Sequence, residues 1–222
     1  MLIGLLIMTL DYANRNNYVM VTVMFSILIL TKHLFIPLTP LFAIYLLTNY
    51  YHMYRHNIKV LLMKVLSLVI IAILALLLAF LPFALQQPSA FNQLEQIFKR
   101  LFPWDRGLLH AYWAPNIWAI YCAIDLCLSK LFGSSSNHYP QHHSSTSGLV
   151  GNFDYRVLPV VPKFAVLVLL ISLLILPLIS ITKKFDSNSL IKSVIYSTFT
   201  MFMFGYHVHE KVYCIFIIFI NS

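Results

Sequence analysis

The chain has 222 residues, of which 60% are hydrophobic and only 10% charged, with a mean hydropathy of +0.80. Soluble domains carry about 25% charged residues, so a freely soluble globular protein is excluded. The net charge of +8, from 15 Lys+Arg against 7 Asp+Glu, would suggest nucleic acid in a soluble chain. Here the basic residues sit at the ends of apolar blocks and in short loops, where orientation in a bilayer requires them, and no nucleic-acid partner is expected.

Residues 1–10 are apolar but lack the basic n-region and small-residue cleavage site of a signal peptide. They read as the tail of a span whose beginning is missing. A polar connector containing Arg15 follows at 11–17. Residues 18–47 are apolar but interrupted by Thr31-Lys32-His33 and by Pro37 and Pro40. That stretch is long for one helix and short for two. Two short segments meeting at Lys32-His33 are expected, because an ammonium group at mid-bilayer is costly.

The loop at 49–59 carries His52, Arg55, His56 and Lys59, with Lys64 just beyond. This is the clearest basic cluster, which places it in the cytosol. The block 65–83 holds no charge, and at about 1.5 Å per residue it covers most of a ~30 Å hydrocarbon core. A span over 61–83 leading to the lumenal side is predicted. Residues 84–112 are mixed polar and aromatic, with Glu95, Lys99-Arg100 and Asp105-Arg106, and are expected as a lumenal loop.

Residues 113–131 are apolar enough to enter the membrane, but Pro115, Asn116 and Asp125 weaken them as a free-standing span. Trp113, Trp118 and Tyr121 would suit an interface. A second lumenal loop is expected at 133–162, of which 133–148 is a Ser/His-rich, low-complexity insertion. Spans at 163–181 and 190–204 flank a basic turn, Lys183-Lys184. With that turn in the cytosol, the cluster His207-Val208-His209-Glu210-Lys211 falls in the lumen, provided 113–131 makes no net crossing. Residues 212–220 are too short to cross, so both ends look cut. There is no internal repeat. Cys122, Cys127 and Cys214 form neither an even set nor a metal-like spacing and read as packing residues inside membrane segments.

Three polar clusters then share the lumenal side: Lys32-His33, the run from Lys99 to His110, and His207 to Lys211. A lipid-linked phosphate fits their combination. Its tail needs an apolar groove and its head needs cationic donors, with Arg able to bind phosphate bidentately. If the phosphate leaves during reaction, the same cations stabilise its developing charge. Plainer readings stand beside this one. Lys32 can snorkel to the interface, and Lys99, Arg100 and Arg106 can pair with Glu95 and Asp105. His207 and His209, two residues apart with no third ligand, do not make a metal site. His138, His142 and His143 lie in the low-complexity run and read as solvated. No metal and no cofactor are expected.

The run Arg100-Leu101-Phe102-Pro103-Trp104-Asp105-Arg106-Gly107, followed by His110-Ala111-Tyr112-Trp113-Ala114-Pro115-Asn116-Ile117-Trp118-Ala119, resembles the dolichyl-phosphate-glucose-dependent alpha-1,3-glucosyltransferases of N-glycan precursor assembly. Further matches are Leu30-Thr31-Lys32-His33, the stretch 148–159, and Phe204-Gly205-Tyr206-His207-Val208-His209-Glu210-Lys211. They cover most of the chain in the expected order, and the second motif is similar to the enzyme adding the second glucose.

The resemblance implies an all-α polytopic membrane protein, part of a C-type (GT-C) glycosyltransferase transmembrane fold truncated at both ends. It further implies an endoplasmic-reticulum location among ER membrane lipids and a lumenal active site. The implied donor is dolichyl-phosphate-glucose, and the acceptor a monoglucosylated dolichyl-pyrophosphate-linked oligosaccharide. An inverting mechanism follows, with a carboxylate base and departing dolichyl phosphate. Carried onto this chain, Arg100, Arg106, His207, His209, Lys211, Lys32 and His33 contact the donor phosphate or sugar. Glu210, Asp105, His110, Trp113 and Asn116 support them. The family's catalytic Asp lies in a first lumenal loop preceding everything here, so the catalytic residue is unassigned and this chain by itself is expected to be inactive. After Lys211 the sequence leaves the family pattern.

The alternatives are the sister enzyme that adds the first glucose, a polytopic transporter, and a non-catalytic membrane fragment. A transporter should show Gly- or Pro-broken helices in two related halves with charges near the midplane. This chain has Pro37, Pro40 and Pro177 but no such symmetry.

Overall fold

The computed structural model describes residues 2–85, 90–101, 116–132, 155 and 157–205. Among them every regular element is helical: α1 Leu2–Asn14, α2 Tyr18–Thr31, a 3-10 segment His33–Leu38, α3 Thr39–Tyr54, α4 Ile58–Ala84, α5 Ala90–Leu101, α6 Ile117–Leu131, α7 Lys163–Lys183 and α8 Ser187–Phe204. Three helical stretches, His33–Tyr54, Ile58–Phe83 and Lys163–Lys183, are long and apolar enough to cross a membrane. The expected all-α polytopic class holds. Two compact units are formed, Met1–Pro103 with Pro177–Val194, and Trp104–Leu176 with Ile195–Ser222.

In the first unit, helical periodicity selects what is buried. α1 buries Leu6, Thr9, Leu10 and Ala13, one face at the i, i+3, i+4, i+7 spacing. α2 buries Tyr18, Val21, Thr22, Phe25 and Leu28. These helices pack side by side across a tight connection. Asn16 takes a left-handed φ of 56° there, which Asn tolerates through local hydrogen bonding. Asn17 caps α2 by accepting the Met20 N–H at 3.2 Å, and Asn57 caps α4 by accepting that of Val60 at 3.3 Å. Phe25 and Phe42 stack at 4.2 Å between α2 and α3.

α4 differs from its neighbours. Only 6% of its apolar span window is buried within the protein, and Leu62, Leu66, Ile70, Ile73, Leu77 and Leu81 are exposed. Lipid tails solvate such a surface as well as another Leu would, so the helix is built for hydrocarbon.

The predicted break at Lys32-His33 is present. α2 stops at Lys32, whose backbone is extended. A 3-10 segment containing Pro37 then leads into α3, with a Pro at the start of that helix. Several differences from expectation concern boundaries: α1 runs to Asn14, into the connector expected at 11–17, and α3 to Tyr54, into the loop expected at 49–59. α4 begins at Ile58, because the Asn57 cap starts the helix before the charge-free block does. α8 begins at Ser187, behind a cap at Asp186 that accepts the Ser189 N–H at 3.3 Å. Within the 84–112 segment, residues 90–101 form α5. Its apolar positions Ala90, Phe91, Leu94, Ile97, Phe98 and Leu101 repeat with helical period, the mark of a helix lying at a membrane surface.

In the second unit, Trp118, Cys122 and Asp125 are the buried residues of α6. Trp118 packs with Val166 of α7, flanked by Ile117, Tyr155 and Val161. Asp125 is fully buried, and its Oδ1 accepts the N–H groups of Val157 and Leu158 at 2.9 and 2.8 Å. The Tyr121 hydroxyl donates to the Pro159 carbonyl at 2.8 Å. The segment leading into α7 is thereby sewn onto α6. Cys122 is buried, as expected of a packing residue, whereas Cys127 is exposed; Cys214 lies outside the described residues.

Candidate functional site

Lys32 and His33 occupy the break between α2 and the 3-10 segment. The Tyr18 ring at the start of α2 meets Tyr50, near the end of α3, at 5.2 Å, so α2 and α4 start from the same end of the unit. A 14-residue α2 rises about 21 Å, whereas a 27-residue α4, packed beside it, rises about 40 Å at 1.5 Å per residue. The break therefore stands within the thickness that α4 spans. Irregular backbone at such depth persists only where protein or a water-filled cavity satisfies it. The Lys32 N–H donates to the Leu28 carbonyl at 3.1 Å, and the Lys32 carbonyl accepts from Phe35 at 3.2 Å. Thr31 adds its hydroxyl to the Leu28 carbonyl at 2.8 Å. His33 is exposed and Lys32 half-buried.

Arg100 falls in the last turn of α5. One turn from its end, Lys99 pairs with Glu95 at 2.6 Å, the plain structural role foreseen for it. The carboxylate hydrogen bond raises the Lys99 pKa, and the pair is solvent-exposed, so it adds little to stability. Asn116 is buried and caps α6, its Oδ1 accepting the Ala119 N–H at 3.2 Å. Asp105, Arg106, His110, Trp113, His207, His209, Glu210 and Lys211 lie outside the described residues.

Trp118, expected at the interface, is instead 7% exposed. Its indole N–H is shared between the carbonyls of Phe204 and Gly205, at 3.2 and 3.1 Å. Those are the last carbonyls of α8, immediately before Tyr206-His207. The end of a helix leaves carbonyls without intrahelical partners, and the indole supplies one. Asp125, read from sequence only as weakening a span, anchors the approach to α7. Both functions escaped the sequence because their partners are far away along the chain. The one available signal was a lone carboxylate in an apolar run, which must find donors. Burial, with the Cys122 contact next, raises the Tyr155 hydroxyl above the usual tyrosine range, so this phenol stays neutral at physiological pH.

The model of the ALG6, ALG8 glycosyltransferase family matches residues 1–221, so the match continues past Lys211, where the sequence was expected to leave the family pattern. The chain is 34% identical over 213 residues to the dolichyl pyrophosphate Glc1Man9GlcNAc2 alpha-1,3-glucosyltransferase of Caenorhabditis elegans, covering 95% of this chain and 27% of that protein. With the mouse protein of that name it shares 35% over 220 residues, 94% of this chain and 40% of the relative. With the Schizosaccharomyces pombe one it shares 34% over 214 residues, 95% and 41%. The chain thus spans well under half the length of these curated relatives. No solved structure matches it. The chain belongs to the ALG6, ALG8 glycosyltransferase family.

Proposed function

We propose that this chain contributes the donor-lipid side of an endoplasmic-reticulum glucosyltransferase. The enzyme moves glucose from dolichyl-phosphate-glucose to the Glc1Man9GlcNAc2 dolichyl-pyrophosphate oligosaccharide in an alpha-1,3 linkage. The observation that carries the reading is the helix break at Lys32-His33, which sets two basic side chains within membrane thickness beside a helix built for lipid. A phosphate on a polyisoprenyl tail needs that pairing of hydrocarbon and cation. The relatives' printed names supply the oligosaccharide and the linkage.

In this mechanism the acceptor hydroxyl loses its proton to a carboxylate base and its oxygen attacks the glucose C1. The bond from C1 to the phosphate oxygen breaks, and that oxygen keeps the electron pair. Lys32, His33, Arg100, Arg106, His207, His209 and Lys211 neutralise the departing phosphate, so no general acid is required. Glu210, Asp105, His110, Trp113 and Asn116 orient them. The reading assigns the base to no residue of this chain, and the reaction faces the lumen.

The test replaces the aligned segment of the S. pombe relative with this chain and expresses the chimaera in cells lacking the second-glucose enzyme. Diglucosylated precursors should reappear. Lys32→Ala with His33→Ala should lower their formation at least tenfold, on the order of 1.4 kcal/mol or more of transition-state stabilisation. Rescue only in cells lacking the first-glucose enzyme would assign the sister reaction instead. Full rescue by the double variant would refute the role of the break.

A further inference from the structure

At the end of the first unit where its connections meet, a cavity of about 380 Å³ opens among Asn14, Asn16, Tyr45, Asn49 and the stretch from Lys183 to Ser187. The lining is polar, and its hydrogen bonds have a direction. The Asn49 amide nitrogen donates to the carbonyls of Tyr45 and Phe185, at 2.9 and 3.1 Å. Its Oδ1 lies 3.1 Å from the Tyr18 hydroxyl. Ser187 donates its hydroxyl to Asn14 Oδ1 at 2.9 Å, so the Asn14 amide nitrogen is the end left for a ligand. The Asp186 carboxylate is engaged by the Ser189 N–H at 3.3 Å and stands 3.8 Å from the Lys184 ammonium.

The amide oxygens of Asn14 and Asn49 are thus consumed internally, and nitrogens are left over. The Asn14 amide, the Lys183 ammonium, which forms no ion pair among the described residues, and the loosely held Lys184 ammonium remain. Such a set suits an anion with several acceptor oxygens. Its place decides the source of that anion. Lys183 ends a helix long and apolar enough to cross a membrane, and Ile179, one turn before Lys183 on the same face of α7, is 45% exposed. The cavity therefore opens at the bilayer surface, with an apolar flank beside it for acyl chains. We propose that it binds the phosphate-bearing headgroup of an anionic phospholipid, at the end of the unit opposite to Lys32-His33. The site is independent of the glucosyl-transfer reading.

The experiment reconstitutes the 222-residue chain in phosphatidylcholine nanodiscs and measures uptake of a fluorescent phosphatidylinositol phosphate. Lys183→Gln with Lys184→Gln should weaken uptake about thirtyfold, the loss of two surface cations. Arg55→Gln with Lys59→Gln removes the same charge from another connection and should change it less than about twofold. Asn14→Asp, which keeps an oxygen for Ser187 but adds a carboxylate, should lower uptake by a similar factor to the lysine pair. Helicity and thermal midpoint, read on each variant, separate lost binding from lost folding. Equal losses in the two charge pairs, or none in the first, overturn the proposal. So does inorganic phosphate competing as well as the lipid, because the cavity would then serve a free anion.

Discussion

Asp125 is where one atom holds most structure. It is fully buried, and a single oxygen receives two backbone N–H groups from a segment 32 and 33 residues away. Truncation leaves both donors, which are partly buried, without their charged acceptor, each costing about 1–3 kcal/mol. Asp125→Ala should therefore destabilise the chain by roughly 2–5 kcal/mol, while Asp125→Asn, which keeps an acceptor oxygen, should cost about 1 kcal/mol. Thermal unfolding in detergent, followed by circular dichroism, checks the order. Equal effects would mean that the two hydrogen bonds do not hold the segment. Sequence alone marked this carboxylate as out of place in an apolar run but carried no sign of its partners. Lys32 was the opposite case. The cost of an ammonium within hydrocarbon is local, so the break was legible from the residue itself.

The turn from α7 to α8 shows how an element is started by one side chain. Asp186 accepts the Ser189 N–H through its carboxylate, and its own carbonyl accepts the Leu190 N–H at 3.1 Å. The hydrogen bonds from Ser189, with Lys184 nearby, hold the Asp186 carboxyl below its usual value of 3.8. The sign follows from linkage. A carboxylate with a lowered folded-state pKa stabilises the fold above its unfolded value and loses that contribution as pH falls through the folded one. The first turn of α8 should keep its amide protection from neutral pH down to about pH 4 and lose it below. Asp186→Asn, which keeps a capping oxygen without the charge, should flatten that dependence. Hydrogen exchange of the amides at 189–191, corrected for intrinsic rate, makes the measurement. Unchanged acid fraying in the Asn variant would disprove the cap's charge dependence. The spans at 61–83 and 163–181 were legible as apolar blocks, whereas the helix over the expected span at 190–204 is not among the three described helices long and apolar enough to cross. α5 was not, because its residues read as mixed polar and aromatic until placed on a 3.6-residue period.

For the molecule as a whole, orientation is the larger question. In the first unit Asn49 joins Tyr18 and Phe185, Ser187 joins Asn14, and His52 stacks on Phe185 at 4.2 Å. The connections after α1, α3 and α7 consequently share one end, bringing together Arg15, Arg55, His56, Lys59, Lys183 and Lys184. The bias of Lys and Arg toward cytosolic loops predicts that this end faces the cytosol. With Cys122, Cys127 and Cys214 replaced by Ala, single cysteines at Arg15, His56 and Lys184 should all react with an impermeant maleimide added outside sealed microsomes. One at Gln96 on α5 should react only after permeabilisation. Protection of any of the first three, or free reaction at Gln96, would reverse or break this topology.

Membrane class, helical content and the positions of the main apolar blocks were determined by the sequence itself, since solvation in hydrocarbon acts residue by residue and a period of 3.6 is local. The motifs that resemble the glucosyltransferases were also there to be read. Only the tertiary structure decided that three connections meet at one end, that Asp125 anchors residues 157 and 158, and that Trp118 closes the end of α8. Each of these depends on contacts between segments tens of residues apart, and a hydrogen bond's partner is set by the packing that brings it within reach rather than by the composition of either segment.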